Sequence, residues 1–219
     1  MIQNYNSKKL YERLPIYVHF LNSIQESNIS STTISKSLNL GEVQVRKDLA
    51  LVSGKGRPKI GYSTKNLFKA IKKYMGMNHA SKAIIVGFGK LGKALYDYAG
   101  FSELGIDIVQ AFDISNTTDF VKDIKELDSY CLENEILFGI LTVPSTEAQA
   151  TAEKLIRCGI VGIWNFTSVR LNVPSHVVIQ NENLAASLSV LVKSTLDKKV
   201  GNDYEKSNET NDSYTSKKH

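Results

Sequence analysis

A chain of 219 residues, 42% of them hydrophobic, holds enough apolar material for one ordinary core and a smaller second one, which excludes a disordered protein and favours two domains. The formal net charge of +5 is unevenly carried: residues 1–81 hold 13 Lys and Arg against 4 Asp and Glu, and the remainder hold 14 against 18. A basic module joined to a mildly acidic one points to a polyanionic partner for the first part, because basic side chains that neutralise phosphates release condensed counterions; a merely solvated basic surface fits the charge alone equally well.

The first predicted helix is "ERLPIYVHFLNSIQES", Glu12 to Ser27, with Leu14, Tyr17, Leu21 and Ile24 at the spacing of one face and Pro15 in its first turn. Ser30 and Ser31 can cap a short second helix through Leu38, with Ile34 and Leu38 inward. After a tight turn at "NLG", a third helix, "EVQVRKDLALV", offers Val43, Leu49 and Val52 to a core and leaves Gln44, Arg46 and Lys47 facing outward. Three short helices with a glycine-containing turn before the third form a helix-turn-helix pattern, whose last helix would enter the DNA major groove.

"SGKGRPKIGY", Ser53 to Tyr62, holds three glycines, a proline and three basic residues, and cannot be helical. It reads as the β-hairpin wing of a winged helix, with Lys55 on its first arm and Arg57 and Lys59 at or near the tip; an ordinary glycine-rich linker is the alternative. A basic tip suits a narrow, negative minor groove. "STKNLFKAIKKYMG" closes the module with a helix capped by Ser63 or Thr64 and stopped at Gly76.

From Lys82 the rhythm becomes strand and helix. Candidate strands are "KAIIVGF", "IDIVQAFD", "ILFGILTV", "GIVGIWNF" and "HVVIQ", with helices at 90–99, 119–130, 145–157 and 182–197, implying a parallel sheet covered on both faces. The last helix carries Leu184, Leu188 and Leu191 at helical spacing after the sheet is complete, so its apolar face needs another surface, such as a partner subunit. Residues 199–219 are polar and expected to be disordered.

Gly87, Gly89 and Gly92 fit G-x-G-x-x-G, between an apolar strand and a helix, in the run Gly87, Phe88, Gly89, Lys90, Leu91, Gly92. That context reads as a dinucleotide site: a tight turn, close approach of the pyrophosphate, and close packing of helix on strand. Asp113 ends the second strand about 20 residues on, placed to accept from the adenosine ribose, and no basic residue follows before Lys122, which favours NAD(H) over NADP(H). Strand ends put Val143, Pro144, Asn165 and Phe166 near the cofactor, and Tyr98 where it could stack on the nicotinamide or serve as core.

No catalytic group for hydride chemistry stands out, since His176 has no nearby carboxylate and reads as a surface residue. Cys131 and Cys158 fit no zinc pattern and read as reduced core thiols, and histidines at 19, 79, 176 and 219 are too scattered for a metal cluster, so no metal is expected. The N-terminal residues lack a signal-type apolar core and no segment approaches 18 uninterrupted apolar residues, which leads to an expectation of a cytoplasmic protein without a membrane partner.

Together "RLPIYVHFL", the serines at 30–31, "VRKDL", the closing "GY" at 61–62, "VGFGKLGKALYDYAGF", "AFD", "LTVPSTEAQ", "GIVGIWNFTSVRLNVP" and "QNENLAASL" resemble the Rex family of redox-sensing transcriptional repressors, in family order and to about Leu196. The resemblance implies an α/β chain: a winged-helix DNA-binding domain over residues 1–78, a Rossmann-type NAD(H)-binding domain over 79–181, and a C-terminal helix, 182–198, exchanged between the subunits of a homodimer. It implies that NAD+ permits binding to double-stranded operator DNA while NADH closes the dimer and releases it. Gly87, Gly89 and Gly92 would cradle the pyrophosphate, Asp113 hold the adenosine ribose and Tyr98 lie against the nicotinamide. DNA would be touched by Ser31, Gln44, Arg46 and Lys47 from the helices and by Lys55, Arg57 and Lys59 from the wing.

The chain departs from the family at His19, where an arginine is usual, and at Asn183, where an aspartate is usual; in the family that arginine–aspartate pair couples the N-terminal helix to the cofactor-bound core, which the resemblance carries to positions 19 and 183. It also lacks the Tyr-Phe-Gly that usually follows "VRKDL", and the Lys and Gly that usually follow the ribose-binding aspartate. Two other readings remain: a small NAD-dependent oxidoreductase with a basic accessory domain, and a DNA-binding dimer whose nucleotide site does not sense.

Overall fold

The computed structural model describes residues 2–77, 80–115 and 118–197, with side chains from Lys9 onward. The expected domain boundary at 78/79, the histidines at 79 and 219 and the expected disorder of 199–219 lie outside the described residues.

The N-terminal unit contains α1 (Ile2–Ser23), α2 (Ser31–Leu38), α3 (Glu42–Ser53) and α4 (Thr64–Tyr74) around one core of Leu14, Tyr17, Val18, Ile34, Val45, Leu49, Leu67 and Ile71. α1 starts earlier and stops sooner than the sequence pattern suggests, and Pro15 lies inside it rather than in its first turn. The helix tolerates the missing N–H because Leu10, Leu14, Tyr17, Val18 and Leu21 bury a continuous stripe across it. Ser30 is the N-cap of α2, its hydroxyl accepting from the Thr33 N–H at 3.0 Å, and Asn39 ends the helix in the left-handed region. In α3 the phase differs from expectation: Val45 and Leu49 are buried and Val43 is 65% exposed, because the core stripe runs through 45, 49 and 52.

The wing is minimal. Arg57 and Gly61 exchange both backbone hydrogen bonds at 2.8 Å, leaving Pro58, Lys59 and Ile60 as the tip, with Lys59 at a φ of 65°. It is anchored by the antiparallel pair β1 (Asn28–Ile29) and β2 (Tyr62–Ser63), and Gly61 is required because a Cβ there would strike the Ile29 carbonyl oxygen.

The second unit is a six-stranded, all-parallel sheet of β3 (Ser81–Val86), β4 (Ile106–Asp113), β5 (Val121–Asp123), β6 (Phe138–Leu141), β7 (Gly162–Asn165) and β8 (Val178–Asn181), in the order β5-β4-β3-β6-β7-β8. The strand order reverses between β3 and β6, the switch point where open α/β sheets bind ligands. The helix expected at 119–130 is instead strand β5, a 3-10 turn (Ile124–Glu126) and α7 (Leu127–Asn134): Val121 pairs with Ala111, and the Asp123 carboxylate caps the turn from Lys125 N–H. The helix expected at 90–99 is α5 (Lys90–Tyr96), which stops three residues early, and a separate short α6 (Gly100–Glu103) follows it.

α7 and α8 (Ala148–Arg157) cover one sheet face through Leu127, Ala148, Ala152 and Leu155. Coverage of both faces does not hold within one chain. The opposite face is covered by α5 on β3 and α6 on β4, and toward β7 and β8 it opens into an apolar groove of about 520 Å³ lined by Phe101, Phe138, Ile140, Trp164 and Val178. The final helix, α9 (184–197), does not fold back to fill it: Leu184, Leu188, Val190, Leu191, Val192 and Leu196 are each more than half exposed.

Candidate functional site

α3 is fixed to α1 by a buried carboxylate that sequence reasoning did not single out. Asp48, only 4% exposed, accepts from Arg13 Nε at 2.6 Å, Arg13 Nη2 at 2.9 Å, Tyr17 Oη at 2.8 Å and Gln44 Nε2 at 2.7 Å. The hydrogen bond to Asp48 raises the Arg13 pKa, and burial together with Asp48 pushes the Tyr17 phenol far above its usual range. An acidic residue at a core phase of an amphipathic helix, one turn after Gln44, was the available signal.

From this fixed helix, Arg46 and Lys47 project into a cleft of about 600 Å³ shared with Ser31, Lys55, Arg57 and Lys59. Six of the seven residues expected at DNA therefore line one basic concavity between α3 and the wing. The seventh, Gln44, sits one turn before Asp48 and outside that lining, and Arg46 is ion-paired with Glu42 on the same helix.

The glycine loop follows β3. Gly87 has a φ of 98° and donates to the Phe112 carbonyl at 2.8 Å, while Thr142 Oγ1 at the end of β6 donates to the Gly87 carbonyl at 2.7 Å. A Cβ on Gly87 would lie 2.7 Å from the Thr142 carbonyl carbon, and one on Gly92 would run into the Gly87 carbonyl oxygen. The fold itself thus demands glycine at both positions. Gly89 differs: its φ is −70° and a Cβ there would meet nothing within 4 Å. Nothing in the chain requires glycine at 89, and the space over its Cα is open.

Gly89 also leads into α5 without any side-chain cap, leaving first-turn N–H groups for an anion. Asp113, at the end of β4, accepts from Phe88 N–H at 2.6 Å and from Ser115 N–H at 2.9 Å, so it ties the loop to the strand end. A carboxylate beside a glycine turn with open space over its second glycine fits NAD(H), with Lys90 and Leu91 opening the helix.

Beyond the loop, Tyr98 is 60% exposed and packs edge-on to Phe101 at 5.0 Å; Phe101 meets Trp164 at 5.8 Å, and Trp164 meets Phe166 at 4.5 Å. Val143 is half-buried and Pro144 exposed at the end of β6. Asn165, expected at the cofactor, is fully buried: its amide donates to Val169 O and Asn181 Oδ1, and its oxygen accepts from Thr167, so it anchors the turn after β7 instead.

The aromatic end reaches the N-terminal unit through α6. Glu103 closes that helix, with its carboxylate 3.4 Å from His19 Nδ1 and its carbonyl accepting from Lys72 Nζ at 3.2 Å, and Leu104 packs on the N-terminal core. His19 and Asn183 are not brought together within one chain: Asn183 Oδ1 accepts from Ala186 N–H and caps α9. Glu103 was missed because its partner lies 84 residues away in sequence.

Both thiols are free. Cys131 is buried as expected, whereas Cys158 is partly exposed and donates to Asp128 at 2.7 Å, with burial and that contact pushing its pKa up to about 12. Among the described residues no group of three or more His, Cys, Asp or Glu could hold a metal ion, and no helix is long and apolar enough to cross a membrane. His176 is exposed.

Residues 78–169 match a family model for a CoA binding domain, and residues 7–50 match "Putative DNA-binding protein N-terminus". A redox-sensing transcriptional repressor Rex from Treponema denticola is 40% identical over 190 residues, covering 82% of this chain and 90% of that protein. Its counterpart from Bacteroides thetaiotaomicron is 35% identical over 196 residues, covering 82% and 86%. Among solved structures, RSP, a Rex-family repressor, in complex with beta-NAD+ and operator DNA superposes with a TM-score of 0.79 at 29% identity over 90% of this chain and 96% of that one. RSP in complex with beta-NADH superposes with a TM-score of 0.76 at the same identity, over 90% and 97%.

Proposed function

The chain belongs to the Rex family of redox-sensing transcriptional repressors, and from that premise we propose that it binds operator DNA through α3 and the wing and is released by NADH. It is a regulator and not an enzyme, as its relatives are. The observation that carries the proposal is the join of two sites in one chain: a basic cleft and a glycine loop whose Gly89 faces open space, linked by α6.

In this reading Gly87, Gly89 and Gly92 cradle the pyrophosphate, Asp113 holds the adenosine ribose, and Tyr98 lies at the nicotinamide. The cofactor supplies only the difference between its oxidised and reduced rings. The chain supplies the lever: α6 carries Tyr98's neighbour Phe101 at one end and grips α1 and α4 through Glu103 and Leu104 at the other. A homodimer forms with α9 laid in the partner's apolar groove, within a chain divided as 1–78, 79–181 and 182–198, in the cytoplasm.

A ligand shifts a two-state dimer only by its differential affinity, and turning 1:99 into 99:1 takes roughly 10⁴-fold. Titrating NADH and NAD+ separately into a promoter–protein complex followed by fluorescence anisotropy tests this. Release by NADH with retention under NAD+ is expected. Equal response to both forms would return the site to a non-sensing role.

Arg46→Ala is expected to weaken operator binding and to lower the slope of log affinity against log salt by about one unit, the signature of a lost phosphate contact. An unchanged slope removes Arg46 from the interface.

A further inference from the structure

Asp48 does more than hold α3. A carboxylate paired with a guanidinium can only accept hydrogen bonds, so the Gln44 group that faces it at 2.7 Å is the amide nitrogen. The amide is thereby locked in one of its two orientations, and among the described residues nothing donates to Gln44 Oε1. Gln44 is exposed, in the first turn of α3, and adjacent on the helix surface to Lys47, which lines the basic cleft. The first turn of a recognition helix is the part that meets base edges.

We propose that Gln44 is a specificity-determining residue that accepts, through Oε1, a hydrogen bond from the exocyclic amino group of an adenine or cytosine in the operator half-site, with Asp48 as the positioning residue that fixes the amide. The inference rests on the reading that α3 enters the major groove. A free glutamine amide can turn either way, presenting its nitrogen to the keto and N7 acceptors of guanine or thymine, or its oxygen to an amino group. Here the buried ion pair takes one of the two N–H groups and fixes the amide with Oε1 free to accept before DNA arrives, so α1 takes part in readout without touching a base.

The test uses the full-length protein with NAD+ and a pool of randomised duplexes. The enriched duplex is then substituted one base pair at a time, and affinities are compared between the natural chain and Gln44→Ala, which removes one of four donors to Asp48 and keeps those of Arg13 and Tyr17. The position whose preference disappears in Gln44→Ala is Gln44's. Deleting the amino group there, with purine in place of adenine or 2-pyrimidinone in place of cytosine, should weaken binding by about 5- to 10-fold in the natural chain. The same deletion should have little effect in Gln44→Ala.

If Gln44→Ala leaves every positional preference intact, or if amino deletion weakens both proteins alike, the assignment is wrong while DNA binding stands. If no duplex is enriched, the DNA-binding reading and this inference fall together. Asp48→Asn adds the positioning arm: an amide at 48 can also donate, so Gln44 is free to turn and the amino-deletion penalty should shrink toward onefold. A full penalty in a folded Asp48→Asn protein would overturn Asp48's role and leave that of Gln44.

Discussion

Gly89→Ala is expected to leave the apo protein as stable as the natural chain and to weaken NADH binding about 100-fold, near 2.7 kcal/mol. The added methyl meets no atom of the chain within 4 Å, and the backbone there has an ordinary negative φ, so folding has no reason to object. It does occupy the space through which a pyrophosphate approaches the loop. Gly92→Ala, three residues on, should behave in the opposite way. Its methyl runs into the Gly87 carbonyl oxygen, and backbone cannot move aside as a flexible side chain can. A loss of about 3 kcal/mol of stability, or roughly 10 °C in melting temperature, is expected along with loss of NADH binding. Differential scanning fluorimetry of the apo proteins and NADH fluorescence titration separate the two outcomes. A destabilised Gly89→Ala, or one with natural NADH affinity, would remove the assignment of that open space to a dinucleotide.

The second large effect is expected at α9. Leu188 and Leu191 are 60% and 61% exposed in the single chain, so Leu188→Glu/Leu191→Glu should cost an isolated chain little. In a dimer each of these leucines would contribute about 1.5–3 kcal/mol by burial, and a glutamate in its place would add a desolvation cost. Sedimentation velocity should find the natural chain at twice its 24.3 kDa mass and the double variant at the mass of one chain. Operator affinity should fall by about 100-fold or more, because two half-sites are then no longer bound by one particle. Leu132→Glu is the control: Leu132 is 81% exposed on α7, away from the groove, and its substitution should leave both properties unchanged. A double variant that stays dimeric would dismiss α9 as the dimer element.

Much of the site was legible in order along the chain, because its signals are local. Gly87, Gly89, Gly92 and Asp113 stand at fixed offsets in a strand-turn-helix-strand unit, and the basic residues of α3 and the wing lie within 14 positions of one another. Local signals also misled. "DFVKDIKELDSY" has helical composition throughout, yet its Val121–Asp123 form β5, because pairing with β4 outweighs propensity at a sheet edge. Val43 and Val45 are equally apolar, and only the packing of α3 against α2 and α4 decides which one is buried.

The sequence by itself determined the two kinds of module, their order, and where the glycine turn and the basic residues stand, since helical and strand periodicities and glycine turns are encoded over a few neighbouring positions. Only the tertiary structure decided which glycines the fold needs and which one it leaves facing open space, that Asn165 is an anchor, that Asp48 orients Gln44, and that Glu103 joins α6 to His19. Apart from the open space at Gly89, these are contacts between segments 4 to 84 residues apart, and most depend on how separate elements pack, where a one-dimensional pattern carries no distance.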